Sequence, residues 1–222
     1  SRMVRNEIVN HYGYSGKRID IIYNGVPVDE FRRGSAQRDQ SRRSLGIAES
    51  ETVLLFVGSG WTRKGLRFAV DAMTNVTDLN LRLLVAGRGS KRKFQSPRIQ
   101  FLGEVADVRP IYAATDIFIL PTLYDPFSNA CLEALALDLP VITTRANGFA
   151  EVIENGVHGS IIDSADNVGA ISDAIRFWAD EDRRKNARST IFARAAEFDI
   201  SRNVEQTLAV IDQAASAAPA SG

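Results

Sequence analysis

Short apolar runs alternate with helix-like stretches along most of this chain, and this alternation restricts its possible folds more than any other feature of the sequence. The runs are three to six residues long, rich in Val, Ile and Leu, and mostly apolar on both faces. Such runs are typical of strands buried within a parallel sheet. They predict strands over residues 19–23, 53–57, 81–86, 99–102, 117–120, 141–143 and 159–162.

The stretches between these runs carry helical signals. Apolar residues at Leu66, Ala69, Val70 and Met73 recur at the spacing of one helix face. Residues 34–51 are charged and predict a loop or an exposed helix. The predicted helices cover residues 66–76, 108–114, 129–137, 150–153, 167–179, 181–196 and 203–214. Because strands and helices alternate, we expect an α/β fold with a doubly wound, Rossmann-like parallel sheet.

Composition and charge exclude several classes of protein. The chain has 222 residues, 45% of them hydrophobic, with a formal net charge of zero. The hydrophobic fraction suits a globular protein with a sizeable core, and the absence of net charge gives no overall field that favours nucleic acid. The apolar runs are too short to span a bilayer. With Cys131 as the only cysteine, no internal disulfide can form, which favours a reducing compartment.

The loop after residues 53–57 contains the parts of a phosphate site. Gly58, Ser59 and Gly60 form a flexible turn, and the cations Arg63 and Lys64 follow at the start of a predicted helix. The spacing fits neither a Walker A loop nor a dinucleotide fingerprint. Backbone N–H groups, a helix N-terminus and mobile positive charge nevertheless suit a diphosphate. The alternative is an ordinary turn beside a solvated Arg-Lys pair.

The loop after residues 117–120 places two carboxylates around a second helix start. Ser128 is a good N-cap residue, Asp125 lies in the loop before it, and Glu133 lies more than one turn into the helix. Carboxylates on either side of an anion site suit a sugar nucleotide, whose hydroxyls are donors on both sides of a diphosphate. The alternative is a turn hydrogen bond for Asp125 and a surface ion pair for Glu133.

Other polar residues give weaker signals. Arg88 follows residues 81–86 and precedes a basic run at 91–93, for which an exposed charged loop is the favoured interpretation. Residues 98–105 could line a base site through backbone groups. His11 and His158 lie far apart in the sequence, and with one cysteine they make no zinc set. The sequence therefore predicts no metal site.

Seven motifs in order resemble the C-terminal, donor-binding domain of retaining GT-B glycosyltransferases, the large family of sucrose synthase-like and mannosyltransferase-like enzymes. Asp125 and Glu133 match the two acids of its E-x7-E motif. The resemblance covers about residues 19–162, and within the family the chain looks most like the lipopolysaccharide-core glucosyltransferases. The motifs lie at residues 22–26, 63–65, 101–103, 125–129, 133–136, 139–142 and 148–153.

The resemblance implies a role for each matching position. Lys64 and Arg63 correspond to cations on the donor diphosphate, and Asp125 corresponds to the first acid, near the donor sugar. Asp125 is one methylene shorter than the Glu of most members, and Ser59 replaces an Arg that many members carry. The residues implied in binding the nucleotide sugar, with Glu133 on the ribose and Ile99 on the base, are Gly58, Ser59, Gly60, Arg88, Ile99, Phe127, Ser128, Asn129 and Glu133.

The resemblance also implies an organisation and an activity. It implies the C-terminal half of a GT-B fold, with the end of an interdomain connection (1–18), a nucleotide-sugar-binding domain (19–198), a crossover helix (199–216) and a disordered tail (217–222). The expected reaction transfers a hexose, with UDP-glucose as the expected donor, to a glycan or lipid-linked acceptor without a metal or other cofactor.

The acceptor site is expected on an N-terminal domain outside this chain, which alone would transfer little sugar. The surface that faces that domain would then favour self-association. The full enzyme is expected in the cytoplasm, peripheral on the inner face of the membrane. The main alternative is a nucleotide-binding module without catalysis. A related epimerase or phosphorylase ranks last, because the sequence offers no acid and base set or pyridoxal-phosphate lysine for it.

Overall fold

A six-stranded parallel sheet forms the centre of the computed structural model, which describes residues 1–34 and 37–217. The strand order is β3-β2-β1-β4-β5-β6, and every neighbouring pair is parallel. This order is that of a doubly wound Rossmann-like sheet, which confirms the predicted fold class. The strands are β1 (Thr52–Val57), β2 (Leu81–Ala86), β3 (Ile99–Gly103), β4 (Ile117–Leu120), β5 (Val141–Thr144) and β6 (Gly159–Ile162).

Helices cover both faces of the sheet and both ends of the described chain. Short 3-10 helices lie at Gly16–Arg18, Lys91–Lys93 and Gly148–Val152. The α-helices are α1 (Arg2–Tyr12), α2 (Val28–Gly34), α3 (Arg38–Ser44), α4 (Trp61–Lys64), α5 (Leu66–Asn75), α6 (Arg109–Ala114), α7 (Asn129–Ala136), α8 (Val168–Ala179), α9 (Glu181–Ala196) and α10 (Ile200–Ala217). None of the helices in the described part of the chain is long and apolar enough to cross a membrane.

Residues 19–23, predicted as a strand, lie outside the sheet. The segment that follows them forms only an isolated bridge between Val26 and Asp199. Tyr23 packs its ring against those of Phe127 and Phe198, with centroids 5.7 and 5.9 Å apart. The prediction of a strand here was wrong because a short apolar run indicates burial, and an extended segment packed on helices satisfies that requirement as well as a strand does.

In the charged stretch predicted as a loop or exposed helix, most of the described residues 37–51 are exposed, but one face of the helix there is buried. This helix is α3, on which Ser41 and Arg42 are buried. Arg42 donates to the carbonyls of Ala48 and Glu51 at 2.8 and 2.7 Å and to Asp116 at 3.3 Å. An arginine can be buried when its guanidinium donors are satisfied in this way, and a prediction based on residue type alone misses such a case.

The C-terminal helix is longer than the sequence pattern indicated. The sequence pattern predicted it over 203–214 and the resemblance implied 199–216, and the helix extends from Ile200 to Ala217. Most of the tail predicted for 217–222 lies outside the described residues.

The central neighbours β1 and β4 are parallel, and successive strands are added outward in opposite directions from them: β2 and β3 on one side, β5 and β6 on the other. In doubly wound sheets, ligands bind at this switch point, beyond the carboxyl ends of the strands. The loops that follow β1 and β4 therefore define the candidate site.

Candidate functional site

In the loop after β1, glycines permit an unusual backbone conformation and a buried tryptophan stabilises it. Gly58, Gly60 and Gly65 have φ angles of 147°, 74° and 80°, values that side-chain-bearing residues rarely adopt. The indole N–H of Trp61 donates to the carbonyl of Gly58 at 3.0 Å. The one-turn helix α4 therefore starts at a fixed place, with Lys64 at its last position.

Close backbone contact joins this loop to the loop after β4. A Cβ atom on Gly65 would lie 1.9 Å from the carbonyl oxygen of Pro121, so only glycine fits there. The carbonyl of Arg63 accepts hydrogen bonds from the backbone N–H of Leu123 at 2.8 Å and from the hydroxyl of Thr122 at 3.0 Å. The two loops form one unit at the switch point.

Replacing Gly65 by alanine is expected to destabilise the fold by roughly 3 kcal/mol, because the new methyl group collides with backbone and the φ angle is strained. Urea denaturation measures the change. Gly13→Ala is the matched control, since Gly13 has a φ of 67° and a Cβ atom there would meet nothing within 4 Å. Equal losses for the two variants would show that strain alone, without the close contact, accounts for the effect.

The joined loops bring Lys64 against Asp125. The ammonium of Lys64 donates to Oδ2 of Asp125, and their side chains are only 15% and 7% exposed. The backbone of Asp125 is fixed independently, since its N–H donates to Ala146 and its carbonyl accepts from Gly148, both at 2.9 Å. The structure thus places a cation and an acid, both expected to contact the donor, in direct contact with each other.

The start of α7 faces the same loop. The side chain of Ser128 accepts a hydrogen bond from the N–H of Cys131, which confirms the predicted N-cap. The N–H groups of Asn129 and Ala130, at the first two helical positions, have no acceptor within the helix, and the helix dipole places positive charge there. Asp125, which contacts Lys64, lies in the loop directly before this helix start.

Asn147 supports the backbone of the site and was not among the residues predicted from the sequence. It is fully buried, and its Oδ1 accepts from the N–H of Ser128 at 3.2 Å and from that of Phe149 at 3.1 Å. Its amide donates to Thr143 at 3.0 Å. One side chain therefore fixes the start of α7 to the loop after β5. The position of Asn147 in the loop after the predicted strand 141–143 could have indicated this role, because Asn side chains often bond to nearby backbone in turns.

Glu133 lies one turn further along α7 and is half-buried. Its Oε2 accepts a hydrogen bond from the phenol of Tyr112 at 2.9 Å, a contact that the sequence did not indicate. Burial raises the pKa of Glu133, and the hydrogen bond from Tyr112 partly offsets that rise. Burial, together with the adjacent carboxylate, raises the pKa of Tyr112 well above its ordinary value, so the phenol remains a donor.

Phe127 and Asn129 link the helix start to the segment before α2. The ring of Phe127 packs between those of Tyr23 and Phe149, at centroid distances of 5.7 and 5.9 Å. The side-chain oxygen of Asn129 accepts from the amide of Asn24 at 2.6 Å. Phe127 thus anchors the loop, while Asn129 is exposed beside the helix N-terminus.

Of two further predicted binding residues, Arg88 borders this cluster and Ile99 lies at the other end of its strand. The Arg88 side chain is 75% exposed and pairs with Glu104 at 3.2 Å, while its backbone N–H donates to the hydroxyl of Ser59 at 3.1 Å. Ser59 therefore ties together the loops after β1 and β2. Ile99 is the first residue of β3 and pairs with Leu83 in the sheet. It lies away from the carboxyl edge, because β3 runs four more residues before it exits.

A cavity of about 500 Å³ lies away from this site. It is lined by Trp178, Arg183 and Ala187 on α8 and α9, and by the turn that precedes β6. The joined loops lie elsewhere, at the carboxyl edge of the sheet. Within residues 1–34 and 37–217, no group of three or more His, Cys, Asp and Glu side chains is placed to hold a metal ion.

Comparison with known proteins identifies the family. Residues 51–181, more than half of the chain, match the model of glycosyl transferases group 1. An uncharacterized glycosyltransferase, MJ1607 of Methanocaldococcus jannaschii, is 28% identical over 173 residues, which are 72% of this chain and 44% of that protein. The lipopolysaccharide glucosyltransferase WaaG of Escherichia coli is 30% identical over 167 residues, covering 68% of this chain and 44% of WaaG.

Solved structures share the fold. A structure of WaaG superposes with a TM-score of 0.78 at 25% identity, over 91% of this chain and 58% of the WaaG chain. Anabaena HepE in complex with UDP and glucose superposes with a TM-score of 0.86 at 20% identity, over 96% and 61% of the two chains. This chain spans less than half the length of the two curated relatives. It belongs to the group 1 glycosyltransferase family.

Proposed function

We propose that this chain is the nucleotide-sugar-binding domain of a retaining glycosyltransferase that transfers glucose from UDP-glucose. The observation that carries the proposal is the contact between Lys64 and Asp125 at the start of α7. A cation, an acid and a helix N-terminus meet at the switch point of the sheet, where a diphosphate and its sugar can be held together.

The diphosphate would bind the free N–H groups at the start of α7 and the ammonium of Lys64. Arg63 supplies a second cation nearby, although its guanidinium already donates to the carbonyl of Tyr124 at 2.6 Å. As the bond to the sugar breaks, negative charge grows on the diphosphate, and these groups stabilise it without changing position. We propose that the two cations perform this neutralisation and that the reaction needs no metal.

Asp125 and Glu133 would hold the two ends of the donor. In the structure, Asp125 pairs with Lys64. When Lys64 also donates to a diphosphate, its contact with Asp125 weakens, and the carboxylate of Asp125 can accept hydrogen bonds from the sugar hydroxyls. Glu133, one turn into the helix, would accept from the ribose. UDP is the favoured nucleotide, since HepE carries UDP and glucose on the same fold and WaaG is named a glucosyltransferase.

The acceptor would bind a separate domain, and an exposed apolar stripe supports this arrangement. Large apolar side chains recur along one face of α10 at helical spacing. They are Ile200, Val204, Leu208 and Ile211. We propose that this face docks the acceptor-binding half, and that the isolated chain self-associates through it. The acceptor is proposed to be a glycan or a lipid-linked sugar, and the full enzyme to act in the cytoplasm, peripheral on the membrane.

Isothermal titration with UDP, GDP and ADP tests the nucleotide assignment. We expect UDP to bind at least about tenfold more tightly than GDP and ADP, because the wrong base would leave polar groups of the base site without hydrogen-bond partners. Glu133→Ala should weaken UDP binding, while Glu181→Ala, which removes an exposed carboxylate paired with Lys185 on α9, should not. Equal affinities for the three nucleotides would contradict the assignment.

UDP release from UDP-glucose distinguishes a transferase from the non-catalytic alternative. The assay uses a protein that contains this domain together with its acceptor-binding half. A transferase releases UDP from UDP-glucose only when an acceptor or water takes the sugar, and Lys64→Ala slows that release. A binding module would bind UDP with the same residues and release none.

A further inference from the structure

The carboxylate of Glu133 accepts a hydrogen bond from a buried phenol. Oε2 accepts from Tyr112 at 2.9 Å, and the same hydroxyl lies 3.0 Å from the carbonyl of Ala130 on the same helix. Among the residues whose side chains the structure describes, none donates a hydrogen bond to Oε1. One oxygen of the carboxylate is therefore fixed by the protein, and the other can accept from a ligand.

The ring of Tyr112 is fixed by packing. Tyr112 is fully buried on α6, and its ring stacks on Phe118 of β4 with centroids 5.8 Å apart and an interplanar angle of 20°. Phe31 contacts its other side edge-on at 6.3 Å. The hydroxyl position is thus set by packing between α6 and the sheet, so the donor is in place before any ligand arrives.

We propose that Tyr112 is a positioning residue for the nucleotide, and that it orients the Glu133 carboxylate so that Oε1 accepts a hydrogen bond from the nucleotide's ribose hydroxyls. This inference rests on the proposed nucleotide-sugar site. A half-buried glutamate without this donor would lose one charge-assisted hydrogen bond and sample several rotamers. It would also protonate more readily, since the hydrogen bond from Tyr112 lowers the pKa of Glu133.

The test is UDP binding between pH 4.5 and 8 by wild type, Tyr112→Phe, Glu133→Ala and the double variant. Tyr112→Phe keeps the stacked ring and removes only the hydroxyl. We expect it to weaken UDP binding about five- to tenfold near pH 7, because a poorly oriented carboxylate loses about the free energy of one ordinary hydrogen bond to the ribose. In the Glu133→Ala background the same change should have no further effect. The pH below which binding weakens should move upward in Tyr112→Phe.

Tyr23→Phe is the matched control, because Tyr23 also donates to a partly buried carboxylate, Glu151, at 2.8 Å. A merely structural role for Tyr112 would lower affinity equally with and without Glu133 and leave the pH dependence in place, which would overturn the inference. Unchanged affinity in Tyr112→Phe would also overturn it.

Carbon-13 NMR titration of Glu133 without ligand separates failure of this inference from failure of the site. A higher Glu133 pKa in Tyr112→Phe is expected whether or not UDP binds, and an unchanged pKa would overturn the positioning role. Lack of UDP binding by the wild-type chain would instead reject the nucleotide site, and with it the ligand that Glu133 is positioned for.

Discussion

Replacing Lys64 by alanine is expected to weaken UDP binding about 10- to 100-fold, the range for losing a charge-assisted hydrogen bond to a phosphate. Binding of uridine, which has no phosphate, should change little. Isothermal titration of both ligands against wild type and Lys64→Ala gives the comparison. Because Lys64 is only partly exposed, salt should weaken the UDP interaction less steeply than it weakens a surface ion pair.

Two variants show whether the effect belongs to Lys64. Lys93→Ala removes an exposed cation from the basic run after β2 and should leave UDP affinity within about twofold, because screened surface charges contribute little. Lys64→Ala also leaves Asp125 buried without its cation, so some loss of stability is expected. Retained uridine binding shows that the variant is folded. An equal loss of uridine and UDP affinity would place Lys64 outside the diphosphate site.

Replacing Asp116 by alanine is expected to destabilise the fold by about 3–5 kcal/mol, the cost of breaking a buried ion pair by removing one partner. The carboxylate is 8% exposed and accepts from Arg38 at 2.6 Å and Arg42 at 3.3 Å, while Arg184 lies 3.7 Å away. It also accepts from the N–H of Val53 at 2.8 Å. Without it, cations from α3 and α9 would face one another, and a buried backbone N–H would lose its acceptor.

Urea denaturation measures this loss, and the m-value shows whether unfolding remains two-state. Asp163→Ala is the control, because the pair between Asp163 and Arg145 is mostly exposed and should contribute less than about 1 kcal/mol. Asp116 precedes β4, at the sheet edge opposite the candidate site. UDP affinity of the folded fraction should therefore be unchanged. A loss of under about 1 kcal/mol would show that the arginines find other acceptors.

The fold class was predictable because it depends on a local pattern. Six of the seven predicted strands form within one or two residues of their predicted bounds, since a run that is apolar on both faces is satisfied inside a sheet covered by helices. The N-cap at Ser128 was likewise readable, because capping depends on residues three positions apart. The wrong prediction of a strand at residues 19–23 shows where such patterns stop being informative. An apolar run indicates that a segment is buried, but it does not indicate which element the segment packs against.

The candidate site was only partly readable from the sequence. Sequence reasoning selected Lys64, Asp125 and Glu133 because charged residues follow strands where helices begin. No local pattern indicated Tyr112 or Asn147. Tyr112 contacts Glu133, 21 residues away in sequence, and Asn147 contacts Ser128, 19 residues away. Two further residues that the resemblance implied in binding stay predictions: Ile99 begins β3, and Arg88 follows β2 with an exposed side chain.

By itself, the sequence determined which segments become strands and helices, and therefore the sheet with its ligand-binding edge, because periodicity and capping act over a few residues. Only the tertiary structure decided which of the charged residues meet. The approach of Gly65 to Pro121 brings Lys64 to Asp125, and the packing of α6 brings Tyr112 to Glu133. Such contacts depend on the distance between elements far apart in the chain, which no local pattern encodes.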